Sequence, residues 1–305
     1  MSIIAPTPQN TCAVIVTFHP DKAFADLIQN AREQFPLVIV IDNDSPPETI
    51  RMLRGFAHFP QVSLVENQVN LGLATALNQG VDLALKLGFK WFVTLDQDTK
   101  IADDLLATLI LVYEKNGEGR VMIGSNYWNE HSQKYFIRCD GSAGGFRERK
   151  TLISSGSLIS AAMVADIGLF RDDYFIDSVD HEFCLRARKH GWRILISCKP
   201  VLFQRIGSRI ENDNWLRKFM AFNHSPVRKY FISRNTVATV KIYLYREPSW
   251  CVRQGLRLMY EFVSILLFEN SKMKKSTAFI VGMIHGVLGK MGPIEKSWPN
   301  GANWL

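Results

Sequence analysis

The chain lacks the glycine-rich loops that hold nucleotides in the two commonest nucleotide-binding folds. No G-x-G-x-x-G follows its first apolar run, and no G-x-x-x-x-G-K-[ST] occurs in its 305 residues. The stretch Met1–Asn10 has neither the basic nor the apolar part of a signal peptide. No apolar run reaches the roughly 20 residues that cross a bilayer. We therefore disfavour a Rossmann dehydrogenase or a P-loop enzyme, and we expect a cytoplasmic protein.

Cysteine is scarce, and its spacing is not that of a metal site. The five cysteines are scattered, odd in number and without a C-x-x-C pair: Cys12, Cys139, Cys184, Cys198 and Cys251. This pattern argues against a disulfide framework or a zinc site, and it favours a reducing compartment.

Charge is unevenly distributed along the chain. The net charge is +7. Residues 201–305 carry 16 Lys and Arg against 6 Asp and Glu, a net of +10, which leaves −3 for residues 1–200. A composition that is 47% hydrophobic and 21% charged is that of a folded protein. We expect different partners for the slightly acidic front part and the basic back part.

Short apolar runs alternate with helical spacing in the first part of the chain. This alternation predicts a doubly wound, Rossmann-like α/β layer with a mostly parallel sheet, whose ligands bind at the carboxyl ends of the strands. The predicted strands are Cys12–Phe18, Leu37–Ile41, Val62–Val65, Trp91–Leu95 and Val121–Ser125. The predicted helices are Asp21–Gln34, 47–57, 70–87 and Asp103–Lys115.

The pattern changes after residue 125. Residues 126–150 are irregular and glycine-rich, which predicts a mobile loop. Thr151–Ile159 is typical of a strand, a glycine turn and a further strand, and a helix ends at His190. Late strands are predicted at Arg193–Ser197 and Val201–Phe203, and helices at Pro226–Thr239, Trp250–Phe268 and Ser276–Lys290. We predict a domain over 1–210, with halves at about 1–125 and 126–210, and a basic helical extension over 211–305.

Two aspartates follow the fourth predicted strand with one residue between them. In an extended segment Asp96 and Asp98 would point the same way, and a hard cation holding a diphosphate would satisfy both carboxylates. The alternative is a solvated polar turn. The same spacing also occurs at Asp42/Asp44, Asp180/Glu182 and Glu211/Asp213, so the pair alone is weak evidence.

Several such patterns, taken in order, resemble a family-2 glycosyltransferase with the GT-A fold, and most closely its bacterial rhamnosyltransferases. The resemblance runs from about residue 12 to about residue 292. The matching pieces are Thr17, Val40–Ser45, Asn70-x-Gly72-x-Ala74, Leu95–Asp98, Ser155–Ser157, Phe175-Ile176-Asp177-x-x-Asp180-x-Glu182 with Arg186, Tyr230-x-x-x-Arg234-Asn235, and Gly282-x-x-x-Gly286 with Gly289–Gly292.

The resemblance implies an inverting reaction in which a base activates the acceptor hydroxyl and a divalent metal holds the leaving nucleoside diphosphate. It implies that Asp98 and Asp96 serve Mg²⁺ or Mn²⁺ and the donor. It also implies a nucleotide-sugar pocket of Thr17, Asp42, Asp44, Asn70, Gly72, Asp96, Ser155 and Gly156. Within this set Ser155-Gly156 could equally be a structural turn.

The resemblance also implies that Asp180 is the general base, with an N-terminal helix cap as its alternative role. Asp177 and Glu182 would support it. Arg186 would clamp the diphosphate or, as we prefer, orient Asp180. Where family members often carry a metal-binding histidine this chain has Gln204, which could be a ligand for Mg²⁺. Alternatively, Arg205 neutralises the diphosphate and metal dependence is weaker.

The basic tail mixes apolar runs with lysine and arginine over residues 228–290. This composition is typical of helices that lie on an anionic membrane leaflet. The alternatives are a helical cap on the catalytic domain or contact with a second subunit, which would make a homo-oligomer. We expect no nucleic-acid partner, because no recognition motif accompanies the charge.

The resemblance, together with the basic tail, implies transfer of L-rhamnose from dTDP-L-rhamnose to a lipid-linked saccharide. The product would belong to a lipopolysaccharide O-antigen or a similar surface polysaccharide, made on the inner face of the bacterial inner membrane. The alternatives are another donor, such as a UDP-hexose or UDP-galactofuranose, a nucleotidyltransferase, or a non-catalytic assembly subunit.

Overall fold

The chain folds into two compact units. The computed structural model describes residues 3–116, 119–129, 133–139, 144–204 and 223–302, with the backbone alone at Gln204. Unit 1 consists of Met1–Phe170 and Phe183–Ile206, and unit 2 consists of Arg171–Glu182 and Gly207–Leu305. The short segment that carries Asp180 therefore belongs with the C-terminal part of the chain. The predicted domain boundary at residue 210 stays a prediction.

Unit 1 is built on one mixed sheet. Its strands are β1 Thr11–Thr17, β2 Val38–Asn43, β3 Val62–Asn67, β4 Trp91–Asp96, β5 Lys100–Ile101, β6 Val121–Asn129, β7 Lys134–Tyr135, β8 Phe146–Arg149, β9 Ser157–Ser160 and β10 Arg193–Gln204. The order is β3-β2-β1-β4-β9-β6-β10-β5, with β7 beside β6 and β8 beside β10. Strands β1 to β4 pair in parallel, as do β6 and β10, while β9 runs antiparallel to β4 and β6. The predicted α/β class with a mostly parallel sheet is confirmed.

Helices follow the strands along the chain. Their apolar residues recur at helical spacing, so each helix can bury one face. The helices are α1 Phe24–Gln34, α2 Pro47–Phe56, α3 Leu73–Lys86, α4 Leu105–Asn116, α5 Ala161–Ile167 and α6 Val179–Lys189, of which the first four residues belong to unit 2. In α1 the buried side chains are Phe24, Leu27, Ile28 and Ala31, which lie on one face. All seven residues of β1 are buried, as expected for a strand covered on both faces.

Three sequence-based expectations for residues 126–204 are wrong. The segment 126–150 is not wholly irregular, because β6 continues to Asn129 and two short strands follow. Thr151–Ser154 is not a strand; only Ser157–Ser160 pairs with the sheet. The two predicted late strands are one strand, β10, whose register with β6 shifts on either side of Pro200. Proline lacks a backbone N–H donor, so the hydrogen-bond ladder between β10 and β6 is interrupted at Pro200. The proline made one strand look like two in the sequence.

A disulfide joins Cys139 to Cys198, contrary to the expectation from the scattered cysteines. The bond spans 59 residues, and no motif marks its two ends. Beside it, Asn126 donates from Nδ2 to the carbonyls of Ile137 and Cys198 at 2.9 and 3.2 Å. Cys12, Cys184 and Cys251 are buried and are not joined in a disulfide.

Unit 2 is helical in the part that the structure describes. Its helices are α7 Pro226–Tyr243, α8 Pro248–Phe268, α9 Lys272–Leu288, α10 Ile294–Ser297 and α11 Pro299–Ala302. Helix α7 is mostly buried, and α9 packs closely against it. The close approach requires glycine, because a Cβ at Gly286 would lie 2.5 Å from the Arg234 carbonyl oxygen. Within the described ranges, no helix combines the length and the hydropathy of a membrane span.

A buried ion-pair network also holds unit 2 together. Lys229 of α7 donates from Nζ to Glu261 of α8 at 2.8 Å and to Glu269 at 2.6 Å. Lys275 of α9 donates to the other Glu269 oxygen at 2.8 Å. Lys229 and Glu269 are each only about 1% exposed in their side chains. Each charge therefore depends on its partner, since an unpaired charge in this interior would be costly.

Candidate active site

The carboxyl ends of β1, β2 and β4 bring the predicted nucleotide residues to one edge of the sheet in unit 1. Thr17 lies opposite Asp42 in the β1–β2 register, and Val16 lies opposite Asp96 in the β1–β4 register. This placement follows from parallel pairing alone, because parallel strands end at the same edge. The edge is where doubly wound sheets bind their ligands.

Asp42 is fully buried, and both of its carboxylate oxygens accept hydrogen bonds. Thr17 donates from Oγ1 to Oδ1 at 2.9 Å, and the Ser45 amide donates to Oδ2 at 2.9 Å. These two hydrogen bonds fix the orientation of the Asp42 carboxylate. A carboxylate that recognises a ring N–H of a nucleotide base needs a fixed orientation of this kind. Asp44, by contrast, is exposed and has a left-handed backbone with φ of 78°. Its conformation turns the chain out of β2.

Asn70 and Gly72 belong to a network of amide side chains. Asn43 donates from Nδ2 to Asn70 Oδ1 at 2.9 Å, and the same oxygen accepts from the Gly72 amide at 2.9 Å. Asn43 Oδ1 accepts in turn from the Leu71 amide at 3.0 Å. Asn43, which sequence reasoning did not single out, thus fixes the loop that enters α3. Its position at the end of a buried strand was the available signal.

The backbone of the acidic pair Asp96 and Asp98 is not extended, contrary to the prediction from strand spacing. Asp96 is the last residue of β4, and a turn follows, closed by the Thr99 amide donating to the Asp96 carbonyl at 3.1 Å. Asp96 is half-buried and accepts from Ser154 Oγ at 3.3 Å, whereas Asp98 is exposed. The assumption that both side chains point one way because of strand geometry is therefore wrong.

The donor set at this turn nevertheless fits a hard divalent cation. Mg²⁺ is usually held by one or two carboxylates together with substrate phosphates and waters, not by a cage of protein ligands. Among the described residues no group of three or more His, Cys, Asp or Glu is arranged to hold a metal ion. An exposed Asp98 beside a half-buried Asp96 is consistent with a site that a diphosphate would complete. The Gln204 side chain and Arg205 lie outside the described residues.

Gln97, between the two aspartates, ties the ends of β4 and β1 together. Its Oε1 accepts from the Phe18 amide at 2.6 Å, and its Nε2 donates to the Phe18 carbonyl at 3.0 Å. Sequence reasoning treated Gln97 as a spacer. The structure gives it the role of holding the loop after Thr17 beside the acidic pair.

Ser155 and Gly156 make hydrogen bonds within the sheet edge. Ser155 Oγ accepts from the Asp96 amide at 3.1 Å and pairs with Thr99 Oγ1 at 2.7 Å. Gly156 has φ of 72°, and a Cβ there would lie 2.6 Å from Ser125 Oγ. These contacts describe a structural turn that supports Asp96.

A cavity of about 330 Å³ opens between α1 and the turn after β4. Of the predicted site residues only Asp98 lines it, together with Asp21, Asp26, Asn30 and Lys100. The cavity is therefore not the predicted nucleotide pocket as a whole. It does show that Asp98 faces space large enough for part of a ligand.

Asp180 is placed in unit 2, as the second residue of α6 and not as the cap that precedes it. Its Oδ1 accepts from the His181 amide at 2.7 Å and lies 3.8 Å from His181 Nδ1. About 20% of the side chain is exposed. The first turn of a helix favours a carboxylate electrostatically. A partly exposed carboxylate held in this way can accept a proton from a bound hydroxyl.

The segment before Asp180 has an unusual backbone. Phe175, Asp177 and Ser178 all have left-handed φ, at 65°, 62° and 60°. Such conformations cost free energy for residues other than glycine and persist only where the surroundings impose them. This segment is therefore held in place by other parts of unit 2.

Arg234 and Asn235 of α7 supply that support. Asn235 donates from Nδ2 to the carbonyls of Tyr174, Ile176 and Asp177 at 2.8, 2.6 and 2.9 Å. Arg234 donates to the Tyr174 carbonyl at 3.1 Å and to that of Gly292 at 2.5 Å. Both side chains are fully buried. The Arg-Asn pair, seen in the sequence only as a motif, thus fixes the backbone that leads to Asp180.

The other acidic residues near Asp180 have protein partners. Asp177 forms an ion pair with Arg228 at 3.4 Å, while burial raises the pKa of its carboxyl. Glu182 is buried and accepts from Tyr243 Oη at 3.0 Å. In unit 1, Arg186 donates from Nη1 and Nη2 to the carbonyls of Ile167 and Leu169 at 2.6 and 2.8 Å. The supporting roles of Asp177, Glu182 and Arg186 stay predictions.

Comparison with known proteins identifies the type of enzyme. A family model described as glycosyl transferase family 2 matches residues 12–160, which include every predicted nucleotide and metal residue from Thr17 to Gly156. The dTDP-rhamnosyl transferase RfbF of Shigella flexneri is 28% identical over 299 residues, which cover 93% of this chain and 97% of that protein.

Solved structures show the same fold at low sequence identity. The mannosyltransferase PcManGT from Pyrobaculum calidifontis, in complex with GDP-Man and Mn²⁺, has a TM-score of 0.54 and 14% identity, over 98% of this chain and 91% of that one. Residues 1–349 of S. aureus TarS, in complex with UDP, have a TM-score of 0.51 and 12% identity, over 92% of each chain. The chain has the GT-A fold and contains a glycosyl transferase family 2 domain over residues 12–160.

Proposed function

We propose that this enzyme is an inverting rhamnosyltransferase that moves L-rhamnose from dTDP-L-rhamnose to a hydroxyl of a lipid-linked saccharide. The observation that carries the proposal is the similarity to a dTDP-rhamnosyl transferase along 97% of that protein's length. Similarity of this extent covers the donor edge and the segment of Asp180 alike. The acceptor class and a role in O-antigen or lipopolysaccharide synthesis are part of the proposal.

The donor nucleotide would bind at the edge formed by β1, β2 and β4. Asp42, fixed by Thr17 and Ser45, would accept from the base ring N–H. Asn70 and Gly72, with Asp44 nearby, would line the pocket beside the nucleotide. Asp96, supported by Ser155, would lie near the ribose and phosphates.

A divalent cation would be held by Asp98, with Asp96 and the diphosphate oxygens. When bound, Mg²⁺ or Mn²⁺ would neutralise the charge that develops on the leaving diphosphate. The exposed carboxylate of Asp98 fits such an ion, because hard cations prefer carboxylate oxygens.

Asp180 would take the proton from the acceptor hydroxyl as that oxygen attacks the anomeric carbon. The new glycosidic bond forms as the bond from the sugar to the diphosphate breaks, which inverts the anomeric configuration. A positioned base of this kind contributes roughly 10²- to 10⁴-fold to the rate. Asp177 and Glu182 would support the segment, and Arg186 would orient α6.

The test is nucleotide-dependent thermal stabilisation followed by detection of the product. We expect dTDP with Mg²⁺ to raise the Tm more than UDP or GDP does, because the pocket would be selective for the donor base. Mass spectrometry should then detect an acceptor heavier by one deoxyhexose. Stabilisation by UDP or GDP instead would contradict the dTDP donor, and no stabilisation by any of them would favour a non-catalytic assembly subunit.

A further inference from the structure

Helix α8 exposes a stripe of apolar residues, although it also buries Trp250, Cys251 and Ile265. The buried face includes the polar residues Gln254, Glu261 and Ser264. The exposed face carries an apolar stripe, which we call the outer stripe: Val252, Leu256, Met259, Val263, Leu266 and Leu267, each between 40% and 62% exposed. The spacing of three and four residues aligns these side chains along one face of the helix.

The outer stripe contributes little to the buried part of unit 2, because each of its side chains is at least 40% exposed. Among the buried polar residues of α8, Glu261 accepts a hydrogen bond from Lys229. A surface helix normally buries its apolar stripe and exposes its charges. The exposed apolar stripe therefore indicates that something apolar covers α8 from outside.

Helix α9 repeats the pattern. Its buried face contains Lys275, Gly282 and His285 among others. Its exposed face carries Met273, Ile280, Ile284, Val287 and Leu288, between 41% and 76% exposed. Two neighbouring helices with exposed apolar faces exceed what scattered surface residues would explain.

All exposed charges on this part of the chain are positive. Residues 248–290 lie wholly within the described part of the chain, and both of their acidic residues, Glu261 and Glu269, are buried and paired with lysine. The exposed charged side chains are those of Arg253, Arg257, Lys272, Lys274 and Lys290. Exposed apolar residues bordered by cations complement an anionic surface with an apolar interior.

We propose that the outer faces of α8 and α9 dock on an anionic lipid leaflet, with the outer stripe among the acyl chains and the arginines at the headgroups. A second copy of the chain fits this surface less well. A two-fold contact would place the same cations against one another, and like charges across an interface are costly. The evidence for the docking surface comes from α8 and α9 alone. Only the role of docking in presenting a lipid-linked acceptor rests on the proposed function.

The test is co-sedimentation of the full-length protein with vesicles of 70% phosphatidylcholine and 30% phosphatidylglycerol. We expect binding that falls steeply with salt and is weak on phosphatidylcholine alone. The double variant R253Q/R257Q should bind about 30-fold more weakly, since each cation near such a surface contributes about fivefold. The variant L256S/M259S/V263S should lose binding at all salt concentrations.

Matched variants on unit 1 separate this surface from a general effect of charge or hydrophobicity. The variants K86Q/K90Q and V69S/L87S change exposed residues of the same kinds elsewhere, and they should bind as the parent protein does. Equal binding by R253Q/R257Q, or a stripe-dependent dimer that ignores vesicles, would overturn the proposal. Transfer to a water-soluble acceptor should survive in the stripe variant. Vesicle binding without any transfer would instead contradict the proposed function and leave the docking surface intact.

Discussion

The two units hold their functional aspartates by different means. In unit 1, Asp42 and Asp96 reach one edge through the register of parallel strands, and their hydrogen-bond partners lie at neighbouring strand ends. In unit 2, Asp180 follows a segment with left-handed residues that Asn235 holds from 58 to 61 residues away. The proposed donor residues are thus fixed by regular secondary structure. The position of the proposed base depends on a few long-range side-chain contacts, so single substitutions should affect the two units differently.

The largest effect should come from Asp98→Asn in unit 1. Loss of this carboxylate would weaken the hold on the cation and the diphosphate, a contribution of several kcal/mol. We expect kcat/KM for the donor to fall about 10³-fold, with partial recovery at high Mg²⁺. Steady-state kinetics over a Mg²⁺ titration measures this.

Asp26→Asn is the control, because Asp26 is exposed and lines the same cavity. It removes the same charge and should change kcat/KM less than threefold, an amount of about 0.6 kcal/mol. Equal losses in both variants would mean that local charge, not ligation by Asp98, matters.

The next effect concerns stability in unit 2. Lys229→Met leaves Glu261 buried without its lysine, and removing one partner of a buried ion pair costs about 3–5 kcal/mol. Urea denaturation should show this loss. Arg54→Met, which breaks the exposed pair with Glu66 in unit 1, should leave the midpoint unchanged. A midpoint unchanged by Lys229→Met would contradict the role of the buried network.

A smaller and more specific effect is expected from Asn235→Ala. The variant removes the donor to three carbonyls of the segment before Asp180, so kcat should fall about tenfold while the donor KM stays the same, a cost of about 1.4 kcal/mol in the transition state. Gln34→Ala removes a comparable amide in unit 1, which bonds to Ala102 and Leu106. It should lower stability but not kcat. A tenfold rise in the donor KM of Asn235→Ala would contradict this expectation. It would show that the hydrogen bonds of Asn235 affect donor binding.

The same contrast explains what the sequence could predict. The apolar runs of β1, β2 and β4 predicted the strands, and parallel pairing then brought Thr17, Asp42 and Asp96 together. Long-range contacts leave no local signal. Spacing did not predict the Cys139–Cys198 bond, the continuity of β10 across Pro200, or the hold of Asn235 on the Asp180 segment. The turn after Asp96 was missed because strand periodicity was extended two residues too far, to Asp98.

The most direct test of the central claim compares Asp180→Asn with Asp177→Asn in single-turnover transfer and in donor binding. The two changes are isosteric and lie in the same short segment. If Asp180 is the base and unit 1 binds the donor, Asp180→Asn should lower the transfer rate about 10³-fold, within the range for a general base, and leave the donor Kd unchanged. Asp177→Asn should retain transfer within tenfold, a difference of about 1.4 kcal/mol. Transfer at the parental rate by Asp180→Asn would contradict the account.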